Sequence, residues 1–168
     1  MTIHSDHPFL PPEGDRDPLR RFRGRLAAPV TVWTAGSEPS RRGLTVSSLL
    51  VADGDPAKVI GLIDPDSDLW EPPPERLVVN LLSGDHRYLA DAFAGTAPAP
   101  GGPFTQGEWT DSEFGPVLAD AAGRLDVEVT GTTRDVGYAV LVEGIVRHAQ
   151  IGVGEPLVHL RGRYRDLA

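Results

Sequence analysis

The chain has 168 residues, a formal net charge of −8 and no cysteine. This length suits one domain of ordinary size, and a chain without cysteine has no disulfide, iron–sulfur cluster or thiol nucleophile. The acidic balance argues against nucleic acid or an anionic membrane as a partner, because both are bound through clustered positive charge.

Residues 1–17 predict a flexible N-terminal tail, followed by a domain over residues 18–168. The tail is polar and rich in proline, and it shows no hydrophobic periodicity. It lacks the apolar core of a signal peptide, and no apolar run approaches the ~20 residues that span a bilayer. We therefore expect a cytoplasmic protein.

Short β-type runs separated by turns dominate the rest of the chain. Asp17 as N-cap and Pro18 at the first helical position predict a helix over 18–27. Apolar and β-branched runs predict strands at 30–34, 44–51, 59–63, 77–82, 125–129, 138–147 and 157–164, and helical spacing predicts a second helix at 85–94. The run 59–63 is typical of a strand buried on both faces, and 94–107 is expected to be a long surface loop. This pattern predicts a mainly β, antiparallel barrel or sandwich with a few short helices.

The motifs of several enzyme classes are missing from the sequence. There is no phosphate-binding glycine loop followed by a helix, no P-loop lysine and no G-x-S-x-G turn. The five histidines do not follow any metal-ligand spacing, so we expect no metal site. Nothing in the sequence indicates a hydrolase.

Four sequence blocks, in order, resemble the flavin reductase-like, FMN-binding split-barrel family. They are PVTVWTA at 29–35, GLTVSS at 43–48 with DP six residues later and an apolar run to Asp64, VVNLL at 78–82, and EPLVHLRGRY at 155–164. The resemblance covers about 18–168. It implies an antiparallel split β-barrel with Greek-key-like connections.

The resemblance also implies a reaction and a set of contacts. Members of this family reduce FMN or FAD with NADH or NADPH by hydride transfer to flavin N5, supply a partner monooxygenase and form homodimers. Carried over by position, the cofactor-binding residues are Arg42, Thr45, Val46, Ser47, Ser48, Asp64, Ser67, Asn80, Leu81 and Leu82. The protein's task in such a reaction is to position two nucleotides, which is consistent with the absence of a visible acid–base pair.

Two features depart from the family pattern. Acidic residues at positions 64, 66, 68 and 71 surround Ser67, where a phosphate needs donors, so Arg42 or a partner's basic residue would have to offset them. The histidine expected just before RGRY is replaced by Leu160, and His159 stands one position earlier, which in a strand turns the side chain to the other face. His159 and Arg161 are the candidates for contact with the nicotinamide.

These departures leave alternatives open. One is an FMN-binding protein without reductase activity, and another is a split-barrel oxidoreductase that uses a deazaflavin. Among the single residues, Asn80 could serve the flavin or bond neighbouring backbone. Phe93 is expected in the core of the second helix, and Trp109 and Tyr88 either cover the flavin ring or simply pack.

Overall fold

The computed structural model describes residues 17–167, so the tail predicted for 1–17 lies, except for Asp17, outside the described residues. In the described part, two α-helices, α1 (Pro18–Arg25) and α2 (Arg87–Ala94), accompany twelve strands. The strands are β1 (Ala28–Pro29), β2 (Thr31–Ala35), β3 (Arg42–Val46), β4 (Leu49–Ala52), β5 (Lys58–Ile63), β6 (Arg76–Leu81), β7 (Trp109–Asp111), β8 (Pro116–Leu118), β9 (Gly123–Val136), β10 (Ala139–Ile151), β11 (Val158–Leu160) and β12 (Arg163–Arg165). Neither α-helix in this part of the chain is long and apolar enough to span a membrane.

Seven strands form one antiparallel sheet that curls until its two edges meet. The order is β3-β2-β6-β9-β10-β5-β4, and the edge strands β3 and β4 are consecutive in the chain, separated only by Ser47 and Ser48. Three Cα–Cα steps between Val46 and Leu49 hold the end of β3 and the start of β4 within about 11 Å of each other. The mainly β, antiparallel barrel expected from the sequence is confirmed.

Buried and less buried side chains alternate along the strands, and the buried ones form a core inside the curled sheet. Buried side chains from six of its strands meet there, among them Trp33, Ile63, Leu77, Val127 and Val142. Trp33 lies so close to β5 that a Cβ at Gly61 would stand 2.6 Å from the edge of its indole ring. A small residue on β5 thus makes room for a large one on β2 in the interior.

A second core lies on the outer face of the sheet, beneath α2. Ser83 caps the short 3₁₀ turn that leads into α2, and the buried His86 accepts a hydrogen bond from the Ser83 amide at 3.1 Å. Phe93, predicted as helix core, packs edge-to-face on Phe104 and Trp109 with ring centroids 4.8 and 5.5 Å away. The loop over 94–107 is therefore anchored at Phe104, and Trp109 serves packing in this cluster.

Three predictions about the strands were wrong in detail. The run 44–51 is interrupted at the Ser47–Ser48 bend, because its two halves pair with opposite edges of the sheet. β5 is buried on one face only, since its outer face carries Ile60 and Leu62, and Leu62 is 37% exposed. The last strand is a hairpin of β11 and β12, because Arg161 and Gly162 both have positive φ, 52° and 74°, which turns the chain.

Helix α1 has the predicted start but an unusual environment. The Asp17 side chain accepts a hydrogen bond from the Leu19 amide at 3.2 Å, and Pro18 follows as the first helical residue. No residue of the helix is buried. Its apolar side chains Leu19 and Phe22 are 63% and 64% exposed, so in the described chain most of their surface is left in solvent.

Candidate functional site

Two cavities meet at the bend between β3 and β4. The larger, of about 950 Å³, lies between α1 and the outer face of β4, β5 and β10. The smaller, of about 450 Å³, lies between β3, the end of α2 and the β11–β12 hairpin. Ser47, His159 and Gly162 line both cavities, so the predicted serine segment stands at their junction.

The four predicted residues at 45–48 have different surroundings. Thr45 lines the smaller cavity, and its hydroxyl donates to the Ala90 carbonyl of α2 at 2.7 Å. Val46 points into the barrel core, where it is 3% exposed. Ser47 and Ser48 are exposed and line the larger cavity, because the chain there leaves one sheet edge and has not yet joined the other. Their hydroxyls can donate a hydrogen bond to a ligand in this cavity or accept one from it.

Arg42, Asp64 and Ser67 lie at the other end of β3, around the loop that follows β5. The Arg42 guanidinium donates to the carbonyls of Asp68, Leu69 and Pro72 at 3.4, 3.3 and 2.5 Å. The Ser67 hydroxyl donates to the Asp64 carbonyl at 2.7 Å, within one turn. In the described structure, these three side chains hold the acidic loop together and are not among the residues that line either cavity. Their contact with a cofactor stays a prediction.

Asn80 is fully buried, and its amide is saturated by protein groups. Its Nδ2 donates to the Val32 carbonyl at 3.1 Å and to the Thr34 hydroxyl at 3.2 Å, and its Oδ1 accepts from the Leu118 amide at 2.9 Å. This arrangement fastens β8 to the outer face of the sheet. Leu81 is half-buried at the end of β6 and Leu82 is part of the core beneath α2. A flavin contact from this segment is untested.

His159 remains at the site despite its shifted position. It lies opposite Tyr164 across the β11–β12 pair, with ring centroids 5.5 Å apart, and both line the smaller cavity. The Tyr164 hydroxyl donates to Asp91 at 2.7 Å, and burial, together with this bond, raises its pKa well above the usual value. Tyr164 is therefore a neutral donor at ordinary pH. Arg161, at the hairpin turn, lines the larger cavity.

The sequence reading missed the basic lining of the larger cavity. Arg20, Arg21, Arg23 and Arg25 of α1, with Arg134 of β9, line it alongside Arg161. The sequence does contain a signal for this basic lining, because four arginines fall within six residues and no acidic residue separates them. The opposite wall is apolar and includes Leu50, Leu62 and Leu141.

The cavities combine hydroxyl donors, guanidinium groups and an apolar wall in a volume that is typical of a nucleotide-sized ligand. No group of three or more histidine, aspartate or glutamate side chains suited to a metal ion occurs within residues 17–167. The arrangement can hold and orient an anionic, partly aromatic ligand.

Comparison with known proteins gives consistent matches over the same region. The sequence model described as "Flavin reductase like domain" matches residues 23–168. FMN reductase (NADH) RutF of Ancylobacter novellus is 30% identical over 160 residues, which are 94% of this chain and 88% of that protein. The reductase component of a 4-nitrophenol 4-monooxygenase/4-nitrocatechol 2-monooxygenase of Rhodococcus opacus is 27% identical over 153 residues, 89% of this chain and 80% of that protein. The solved structure of the NADH:FAD oxidoreductase SgcE6 of Streptomyces globisporus C-1027 is similar, with a TM-score of 0.80 and 25% identity over 95% of this chain and 96% of that one.

We predict that Asn80→Ala lowers the free energy of unfolding by about 2–3 kcal/mol, because the buried Leu118 amide then loses its acceptor. Urea unfolding followed by tryptophan fluorescence measures the change. Gln150→Ala, at an exposed position of β10, is the control and should change stability by less than about 0.5 kcal/mol. An Asn80→Ala protein as stable as this control would contradict the structural role of the amide.

Proposed function

We infer that this chain, which belongs to the flavin reductase-like domain family, is an oxidoreductase that reduces FMN or FAD with NAD(P)H. The observation that carries this function is the meeting of the two cavities at Ser47, at the β3–β4 bend within the matched GLTVSS block. This geometry provides adjacent spaces for two ligands that must touch.

The residues present fit a flavin nucleotide. A flavin has a flat apolar ring, a polar ring edge and at least one phosphate, and each needs a different kind of neighbour. The wall of Leu50, Leu62 and Leu141 suits the ring, and the hydroxyls of Ser47 and Ser48 suit its polar edge. Flavin, when bound, supplies the hydride acceptor and NAD(P)H supplies the hydride.

The chain's own residues bind and orient the two nucleotides. We propose that residues 45–48 hold the flavin ring edge and that His159 and Arg161 contact the nicotinamide nucleotide from the β11–β12 hairpin. Holding two reactants in contact removes much of the entropic barrier to their reaction, so no acid–base residue is required. The contacts predicted for Arg42, Asp64, Ser67 and the segment 80–82 remain part of this proposal.

We propose that the reduced flavin serves a partner monooxygenase. The support is that the Rhodococcus opacus relative, and a further relative from Pseudomonas aeruginosa, are named as reductase components of monooxygenases. We also propose a cytoplasmic location, because the nicotinamide reductant is available there.

We propose that the protein is a homodimer whose interface includes α1. The support is the exposed stripe formed by Leu19, Phe22 and Leu26, which are 63%, 64% and 56% exposed. Leu19 and Phe22 do not line the larger cavity, whereas Leu26, just after the helix, does line it, so most of the stripe is left for a partner. A short helix that leaves its apolar side in water is unstable alone, and a second copy of the chain covers that side at low cost.

The reductase function predicts that purified protein binds FMN or FAD, perturbs the flavin visible spectrum and then oxidises NADH or NADPH in a flavin-dependent manner. Spectral titration gives the flavin affinity, and loss of absorbance at 340 nm gives the turnover. Flavin binding without oxidation of NADH or NADPH would favour the alternative of an FMN-binding protein without reductase activity. Absence of binding to either flavin would contradict both functions, and a deazaflavin would be the next ligand to titrate.

We predict that Ser47→Asp raises the flavin dissociation constant by at least about a hundredfold and leaves the fold intact, because the carboxylate is desolvated beside the ligand. Ser37→Asp, which adds the same charge at an exposed turn, is the matched control. Spectral titration measures affinity and circular dichroism checks the fold. Equal flavin affinity in the two variants would contradict the proposal that residues 45–48 bind the flavin.

We predict that Phe22→Asp weakens dimerisation by at least about thirtyfold, because a symmetric interface loses an aromatic anchor on both subunits. Sedimentation equilibrium measures the dissociation constant, with Ser37→Asp as the charge control. A wild-type protein that is monomeric at micromolar concentration, or a Phe22→Asp protein that dimerises normally, would refute the proposed interface.

A further inference from the structure

The larger cavity carries a concentration of positive charge that a flavin ring does not explain. Six arginines line it, and no aspartate or glutamate within residues 17–167 is among its lining residues. The chain as a whole has a formal charge of −8. A cluster of like charges destabilises a fold through mutual repulsion unless a ligand or partner neutralises it.

The cavity arginines differ from most others in the described chain because they lack partners. Elsewhere, Arg41, Arg76, Arg87, Arg124 and Arg147 all lie within 4 Å of a carboxylate. Within residues 17–167, none of the six cavity arginines makes an ion pair or a side-chain hydrogen bond. Among the described residues, no hydrogen-bond or ion-pair partner competes with a ligand for these six guanidinium groups.

Helix α1 turns its basic side toward the cavity. Four of the six arginines belong to it, and Gly24, between the last two, also lines the cavity. The Gly24 carbonyl accepts a hydrogen bond from the Arg161 amide at 2.6 Å, which joins the end of α1 to the β11–β12 turn. The helix is thus held with its arginines toward the cavity and with Leu19 and Phe22 directed away from it, the reverse of an ordinary surface helix.

Arg161 has a strained backbone at this same place. Its φ of 52° makes it the one non-glycine residue with positive φ among those described. A long side chain in this region costs free energy that Asn or Gly would avoid, and such strain concentrates at ligand-binding positions. The turn directs the Arg161 side chain to the cavity that the α1 arginines also line.

Guanidinium groups match phosphate oxygens in charge and in their two-pronged geometry. One phosphate needs two or three such donors, whereas six guanidinium groups suit a ligand with more than one phosphate. The same cavity has the apolar wall and the serine bend assigned above to the reacting ring, and about 950 Å³ exceeds what a ring alone fills.

We propose that the arginines of α1, with Arg134 and Arg161, form a subsite for the pyrophosphate of a dinucleotide whose ring lies at Ser47 and Ser48. The proposal rests on the function proposed above and adds its phosphate site. The pyrophosphate belongs either to FAD or to the nicotinamide dinucleotide, and the experiment separates the two.

The test compares wild-type protein with the double variant Arg20→Gln/Arg23→Gln, which keeps helix-forming side chains. Arg165→Gln is the matched control, because Arg165 is an exposed arginine of β12 that lines neither cavity. Calorimetry at constant ionic strength measures binding of inorganic pyrophosphate, FAD, riboflavin and NADH. Sedimentation and circular dichroism establish that each variant keeps the wild-type assembly and fold.

We expect the double variant to bind pyrophosphate roughly tenfold more weakly than the control, with riboflavin unchanged. A similar loss for FAD assigns the subsite to the flavin, and a loss for NADH assigns it to the nicotinamide nucleotide. The proposal is overturned when pyrophosphate, FAD and NADH all bind the double variant and the control within twofold. Because binding is measured without turnover, a protein that fails to oxidise NAD(P)H still gives a decisive result.

Discussion

Hydrogen bonding along residues 42–52 closes the sheet, and the site depends on that closure. The first half of this segment pairs with β2 and the second half with β5, which are strands near opposite edges of the sheet. The Ser48 carbonyl, which accepts from the Leu62 amide at 2.9 Å, starts the second pairing immediately after the bend. A segment that changes partners exposes its backbone and side chains at the changeover, and Ser47 and Ser48 occupy that place. The barrel and the ligand cavity therefore have one structural origin.

The bend alone does not form an enclosed site, and α1 with the β11–β12 hairpin supplies the remaining wall. β1 pairs with β11, and the Arg161 amide holds the end of α1, so the N-terminal and C-terminal segments meet above the sheet. The helix contributes positive charge on its inner side and apolar surface on its outer side. We propose that this one short element serves both ligand binding and dimer assembly. This double use accounts for a helix that buries none of its residues in the single chain.

The order of the longer elements and the family could be predicted from the sequence because they depend on local patterns. The Asp17–Pro18 start of α1, the alternation in β9 and the position of GLTVSS need only neighbouring residues to be recognised. The burial of β5 could not be predicted, because its apolar residues line the interior on one face and the larger cavity on the other. The hydrogen-bond partners of Asn80 could not be predicted either, because Leu118 lies 38 residues away in the chain.

The charges around the site likewise could be predicted only in part from the sequence. The acidic run after β5 is visible in the sequence and suggested repulsion of a phosphate, yet Arg42 and the turn at Ser67 hold that run together outside the described cavities. Local chemistry was sufficient for the family and the mainly β fold. Which charged residues line the cavities emerged only from the folded chain, because α1, the β3–β4 bend and the Arg161 turn are distant in sequence and become neighbours only when the sheet closes.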